Sequence, residues 1–328
     1  MAWARCPTGL FKVRPPESNS QVESAPTPVR QSETPVERLP LACWLNVLSL
    51  DAVLVALLWQ FVFVFSFCGR APRWYESFVL ASVVWLIYVA DRLLDGARLD
   101  LSKPHLVRHR MHHQFAPIWV TAWIVVLLIA SSVVVLWMDA AVIRIGLLIA
   151  ALVLAYGAGV HFWPGRATVR HVFAKEVQVG AIFAAGVSLI AWSEAPSVSL
   201  GLACVASATL FTVNCWAVAE RESVADQNYD ASRAGKPRRE LMAIWSVAVV
   251  AGITGMTGWL PGLVVVCLIG GSMALFATTC FWRWNGRALI EWSRLASSAD
   301  VRLPCFERLV PMADWSLMLS PMICWAVV

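Results

Sequence analysis

The sequence predicts an all-α fold, a polytopic membrane protein of about nine transmembrane helices packed as a bundle. Three observations lead there. Hydrophobic residues fill 59% of the 328 positions and charged residues only 14%, against about 25% charged in soluble domains. Apolar runs of about 20 residues, the length that spans the hydrocarbon core of a bilayer, recur along the chain. Basic residues gather in alternate loops between those runs, which is how Lys and Arg mark the cytoplasmic side of a membrane. The net charge of +5 therefore points to a lipid bilayer as partner and not to nucleic acid.

Residues 1–40 are rich in Pro, Ser, Glu and Gln and lack an apolar core. They read as a disordered cytoplasmic tail. No apolar segment precedes Leu41, so the tail does not read as a cleaved signal peptide. The membrane domain is expected over 41–328. Its spans are expected at 41–67, 74–94, 117–138, 142–163, 174–193, 197–219, 240–259, 261–282 and 309–328.

The loops test that order. With the N-terminus in the cytoplasm, the inside loops carry Arg92, Arg98, Lys103, Arg108 and Arg110, then Arg166, Arg170 and Lys175. The next two carry Arg221, Arg233, Lys236, Arg238 and Arg239, then Arg283, Arg287, Arg294, Arg302 and Arg308. The outside loops carry only Arg70, Arg73 and Arg144. The short loops and the lack of eukaryotic targeting fit a bacterial inner membrane.

Nine cysteines include no CxxC pair. Cys204, Cys215, Cys267 and Cys324 lie inside apolar runs and read as small membrane-helix residues. Gly252, Gly255 and Gly258, with Gly157 and Gly159, read as small-residue stripes for close helix packing.

Chemistry is concentrated at two places. The second span ends in Asp91 and Asp95, whose i, i+4 spacing puts both carboxylates on one helical face. A second acidic cluster, Glu220, Glu222, Asp226 and Asp230, follows the sixth span on the same side of the membrane. Ionisable residues in such positions are costly to insert and mark functional sites. The competing reading is a pair of solvated helix ends. Two carboxylate clusters flanked by Arg and Lys suit Mg²⁺, which takes few protein carboxylates and keeps water and substrate phosphates as its other ligands.

Asp91-Arg92-Leu93-Leu94-Asp95 resembles the later part of the N-D-x-x-D-x-x-x-D motif of the UbiA superfamily of intramembrane prenyltransferases. Trp216-Ala217-Val218-Ala219-Glu220-Arg221-Glu222 is similar to the family's second motif, Y-A-x-x-D-R-E-D-D, and Asp226 and Asp230 continue it. Trp163-Pro164 with Arg166, then Val177-Gln178-Val179-Gly180, resembles the Y-P-x-x-K-R and P-Q-x-x-x-G region. The Asn and first Asp of the first motif fall on Ile87 and Tyr88, so the chain resembles a divergent member.

The resemblance implies a helical bundle around a central cavity and a Mg²⁺-dependent transfer of a prenyl group from a prenyl diphosphate to an aromatic or lipid-like acceptor. It implies catalytic roles for Asp91, Asp95, Glu220, Glu222 and Asp226. The metal would lie on Asp91, Asp95, Glu222, Asp226 and Asp230. Substrate contacts would fall to Arg92, Arg166, Lys175, Arg221 and Asn214.

Two other readings compete. One is a non-catalytic membrane protein of the same fold. The other is a di-iron oxidase, because His109-Arg110-Met111-His112-His113 fits HxxHH and imidazole suits iron. Such enzymes need about eight nitrogen ligands and this chain has six histidines. A basic, His-rich cytoplasmic loop is the reading preferred.

Overall fold

The structure, a computed structural model, describes residues 41–97, 107–162, 170–225, 237–295 and 312–327. The expected tail, 1–40, lies outside them. Every regular element among the described residues is an α-helix. In chain order they are α1 (Leu41–Val47), α2 (Leu50–Cys68), α3 (Trp74–Gly96), α4 (Val107–Gln114) and α5 (Ala116–Trp137), then α6 (Ala140–Phe162), α7 (Arg170–Glu194), α8 (Val198–Ala225), α9 (Pro237–Met256), α10 (Gly262–Leu295) and α11 (Met312–Val327).

Six helices are long and apolar enough to cross a membrane: α2, α3, α5, α7, α8 and α10. That makes the chain a membrane protein by length and composition. The apolar parts of α6 and α9, Ala140–Ala155 and Leu241–Met256, are shorter. So is α11, at 16 residues. The remaining three of the nine expected spans rest on these.

The first apolar run does not form one rod. It breaks between α1 and α2 at Ser49, whose φ of 59° is left-handed. That conformation is unfavourable for a residue with a Cβ. Local bonds fix it. Asn46 Nδ2 donates to Asp51 Oδ2 at 2.6 Å, and the Ala52 amide donates to Asp51 Oδ1 at 2.9 Å. The indole of Trp85 on α3 donates to the Leu48 carbonyl at 3.2 Å, satisfying a group at the break. Asp51 is thereby buried with its oxygens bonded.

The core lies where α2, α7, α8, α10 and α11 meet. Trp59 on α2 is fully buried. Its indole donates to the Leu317 carbonyl of α11 at 3.2 Å. Its ring meets Phe211 of α8 edge-on, with centroids 5.2 Å apart, and Phe211 meets Phe183 of α7 in the same way at 4.9 Å. Edge-to-face pairs of this kind add to simple burial.

The most extensive helix pair is α7 with α8, and it is close because Gly180 has no side chain. A Cβ built there would stand 2.7 Å from both the Ala208 carbonyl oxygen and the Thr212 amide nitrogen, and would strike Thr212 Oγ1 as well. The glycines expected to form a packing stripe on α9 divide their work instead. Gly255 packs against Val265, 2.9 Å from where its Cβ would be. Gly258 turns the chain with φ 72°. Gly252 faces open space, as does Gly157 on α6.

The His-rich segment also differs from a plain loop. Part of it forms α4, whose His112 is fully buried and stacked on Trp119 of α5 at 4.3 Å. His113 Nδ1 lies 2.9 Å from the Gly96 carbonyl of α3. Two of the candidate metal imidazoles are thus packing groups that seat α4 against α3 and α5. The α5 helix itself packs along α3 with its other flank uncovered. Trp123 Nε1 donates to the Leu86 carbonyl at 2.8 Å, and Ala130 is its one buried residue.

On the expected outer side, Arg70 joins three elements. Its Nη1 and Nη2 donate to Glu76 Oε2 and Oε1 at 2.9 and 2.7 Å, and its Nε donates to Glu194 Oε2 of α7 at 3.1 Å. Hydrogen bonds to Glu76 first, then to Glu194, hold the guanidinium above its usual pKa. Glu76 is buried, so Arg70→Ala leaves a carboxylate short of its cation. The half-open setting screens part of the pair. A loss of about 1–2 kcal/mol is expected, read as a lower melting temperature in detergent.

Candidate functional site

The described residues contain a small cavity between five helices. Ala52 and Val55 of α2, Tyr88 of α3 and Val179 and Phe183 of α7 form part of its wall. Phe211, Asn214 and Cys215 of α8 with Asp314 and Leu317 of α11 complete it. Its volume, as space open to the centre of a water-sized sphere, is about 20 Å³. That is room for about one water molecule.

The wall is mostly apolar, with one polar corner. Asn214 is 6% exposed, and its Nδ2 donates to Asp314 Oδ1 at 2.7 Å. Its Oδ1 has no hydrogen-bond partner among the described residues. Tyr88 stands within electrostatic reach of Cys215, Asp314, Asp51 and Arg92. Carboxylates from α2 and α11 and a cation from α3 therefore surround one phenol inside the helical bundle.

Beyond Tyr88, α3 continues to Asp91 and Asp95, which do not line the cavity. They follow Tyr88 by three and seven residues on α3 and so share its face. Both are exposed, as expected of groups at a helix end. Arg92, between them, turns inward and is 7% exposed.

On α8 the corresponding end carries Glu220 and Arg221. Glu220 is half-buried, with Arg283 and Arg221 as the cations within its reach. Arg221 is 1% exposed, and its guanidinium lies 5.9 Å from the centre of the Trp282 ring. Cation–π contacts of this kind strengthen when water is excluded.

Glu222 and Lys175 belong to α8 and α7 by backbone. Their side chains, and all of Arg166, Asp226 and Asp230, lie outside the described residues. Of the eleven sequence-predicted site residues, six are therefore placed. Asp91, Arg92 and Asp95 share the end of α3, Glu220 and Arg221 the end of α8, and Asn214 the cavity.

Sequence reasoning missed Asp314 and Asp51. Asp314 lies within the last apolar run of the sequence, and a carboxylate in such a run was the usable signal. Tyr88, which entered as a departure from a motif, lines the cavity.

Among the described residues, no group of three or more His, Cys, Asp or Glu is arranged to hold a metal ion. Asp91 and Asp95 are two exposed carboxylates one turn apart on α3, and the metal the sequence suggests, Mg²⁺, asks for few protein ligands. That ion binds through one or two carboxylates and fills its octahedron with water and phosphate oxygens. Compared with known proteins, the chain matches no family model, no curated protein and no solved structure.

Proposed function

We propose that the protein is a Mg²⁺-dependent intramembrane prenyltransferase that moves a prenyl group from a prenyl diphosphate to an aromatic or lipid-like acceptor. One observation carries this reading. The helices α3 and α8 flank the same cavity and each ends in a carboxylate beside a buried guanidinium, Asp91-Arg92 and Glu220-Arg221. In this reading both ends face the cytoplasm from a bacterial inner membrane, with the N-terminus inside, which the bias of Lys and Arg among the loops supports.

Each part has a task. Asp91 and Asp95 would hold Mg²⁺, joined by Glu222, Asp226 and Asp230 of the second motif. The metal supplies charge neutralisation for a leaving diphosphate. Arg92 and Arg221, shielded from water, would bind diphosphate oxygens more strongly than exposed cations do. Arg166 and Lys175 would extend that basic rim. The apolar helix faces would take the hydrocarbon chain. As the prenyl C–O bond breaks, the electron pair leaves with the diphosphate and the acceptor's nucleophile forms the new bond, losing a proton.

The test is thermal stability of the purified protein in detergent with a non-hydrolysable prenyl thiodiphosphate and Mg²⁺. At about 100 times the dissociation constant the ligand stabilises by about 2.7 kcal/mol. The shift should require Mg²⁺ and should vanish in Asp91→Ala, whose exposed side chain adds little to packing. A wild-type protein that shows no shift at high ligand, or a shift indifferent to Mg²⁺, overturns the reading.

A further inference from the structure

We infer that Cys267 and Cys324 are a modification site, a thiol pair that oxidises to a disulfide and staples the end of α11 to α10. The two residues lie 57 positions apart in sequence, yet Cys267 Sγ is 3.7 Å from Cys324 Sγ. Both are thiols in the structure, and both are buried. One cysteine in an apolar helix reads as a small packing residue. Two sulfurs in contact across a helix pair meet the condition for a bond that asks them to close to about 2.0 Å. Contacts one turn away hold the two backbones close. A Cβ on Gly270 of α10 would stand 2.6 Å from Ser320 Cβ of α11, and Ser320 Oγ donates to the Cys267 carbonyl at 3.0 Å.

The end of α11 needs a fastening. Pro321 lies inside the helix and has no N–H for the Leu317 carbonyl four residues earlier. Trp59 Nε1 donates to that carbonyl instead. Beyond Pro321, Cys324 is the one buried residue among the described ones, and Met322, Ile323, Trp325 and Ala326 are exposed. The last turn of α11 therefore meets the bundle at its cysteine.

Position in the chain supplies the redox compartment. Cys267 lies in the second turn of α10 and Cys324 in the last turn of α11. The basic residues of α10, from Arg283 onward, lie toward its other end. The topology of the proposed function puts the cysteines on the outer side, where disulfides form and persist. The staple depends on that topology and not on prenyl transfer. Its oxidant is, by class, a protein of the outer compartment that carries a reactive disulfide. One cysteine sulfur attacks that disulfide and forms a mixed disulfide, releasing one oxidant thiol. The second cysteine sulfur attacks the mixed bond, and the oxidant leaves as a dithiol carrying both protons and both electrons. The exchange precedes the docking of the last turn, because Cys267 is 0% exposed afterwards.

Bacterial cells expressing the full chain are quenched in trichloroacetic acid. The denatured protein is alkylated with N-ethylmaleimide, reduced, and alkylated again with the deuterated reagent, so packing does not limit the label. Peptide mass spectrometry should find Cys267 and Cys324 joined before reduction in most chains, and carrying the second label after it. Exposed Cys280 should carry the first. In detergent, tributylphosphine should lower the melting temperature of the wild type by about 5 °C or more. It should leave Cys324→Ala where it is, which a mere packing role for the thiols does not predict. First-label maleimide on both cysteines in most chains overturns the proposal, as does a wild-type melting temperature indifferent to the phosphine. Alkaline phosphatase fused after Val328 reads the topology separately, since it is active only outside the cytoplasm. Free thiols beside an active fusion overturn the staple and leave the topology standing.

Discussion

Gly180→Ala is expected to be among the most destabilising single-methyl additions in the protein. The new Cβ meets the Ala208 carbonyl oxygen and the Thr212 amide nitrogen at 2.7 Å. Both are backbone atoms of α8 and cannot rotate away as a side-chain tip would. Thr212 Oγ1 is also in the way, and it is held by its own bond to the Ala208 carbonyl at 2.7 Å. The only relief is to move α7 off α8, which opens the most extensive helix pair among the described residues. Overpacking a tight site costs about 1–3 kcal/mol, and rigid surroundings place this case at or above the upper end. Thermal unfolding in detergent, followed by tryptophan fluorescence, should show it directly. Gly252→Ala, on an open helix face, is the matched control and should leave the midpoint in place. Equal midpoints for the two variants would mean that α7 and α8 do not approach as described.

Arg221→Ala should cost more still, about 3–5 kcal/mol, which is typical of removing one partner from a buried charge cluster. At 1% exposure the guanidinium has no access to bulk water, so its charge is balanced inside the protein. Glu220 is within its electrostatic reach, and the Trp282 ring lies under it. The substitution removes a cation within reach of Glu220 and strips the indole of its contact. Arg221→Lys keeps the charge but not the planar group that covers the ring. It should recover part of the stability, and the ordering wild type, Lys, Ala in melting temperature is the result that checks the assignment. An Ala variant as stable as wild type would show that the buried charge contributes nothing.

Much of the helical order was legible because a membrane span writes itself as a long apolar run. The run at 74–94 became α3 and the run at 117–138 became α5, within a few residues. The break at Ser49 was not legible. Leu48, Ser49 and Leu50 continue the apolar character across it, and the bonds that stabilise it come partly from Trp85, distant in sequence. Nor was α4, since Val107–Gln114 has little apolar content and is seated by His112, a residue that reads as polar.

At the candidate site, Asp91 and Asp95 were visible as charges closing an apolar run. Asn214 was visible as a polar residue inside one. Its tie to Asp314 spans 100 positions, and nothing local in either segment announces it.

The uncovered flank of α5 has a bearing on how this protein meets its solvent. Only 6% of its most apolar stretch is covered by the rest of the chain, against 56% for α2. Such a helix is held in place by lipid pressing from outside more than by side chains pulling from within. Along most of its length many apolar residues would serve equally, so its sequence is free to drift while its hydropathy is not. Its identity resides in the anchors toward α3 and α4: Trp119 on His112 and Trp85, Trp123 on Leu86, and Trp137 on Trp74 and Tyr75. A micelle, which confines less than a bilayer, would loosen this part of the protein before any other.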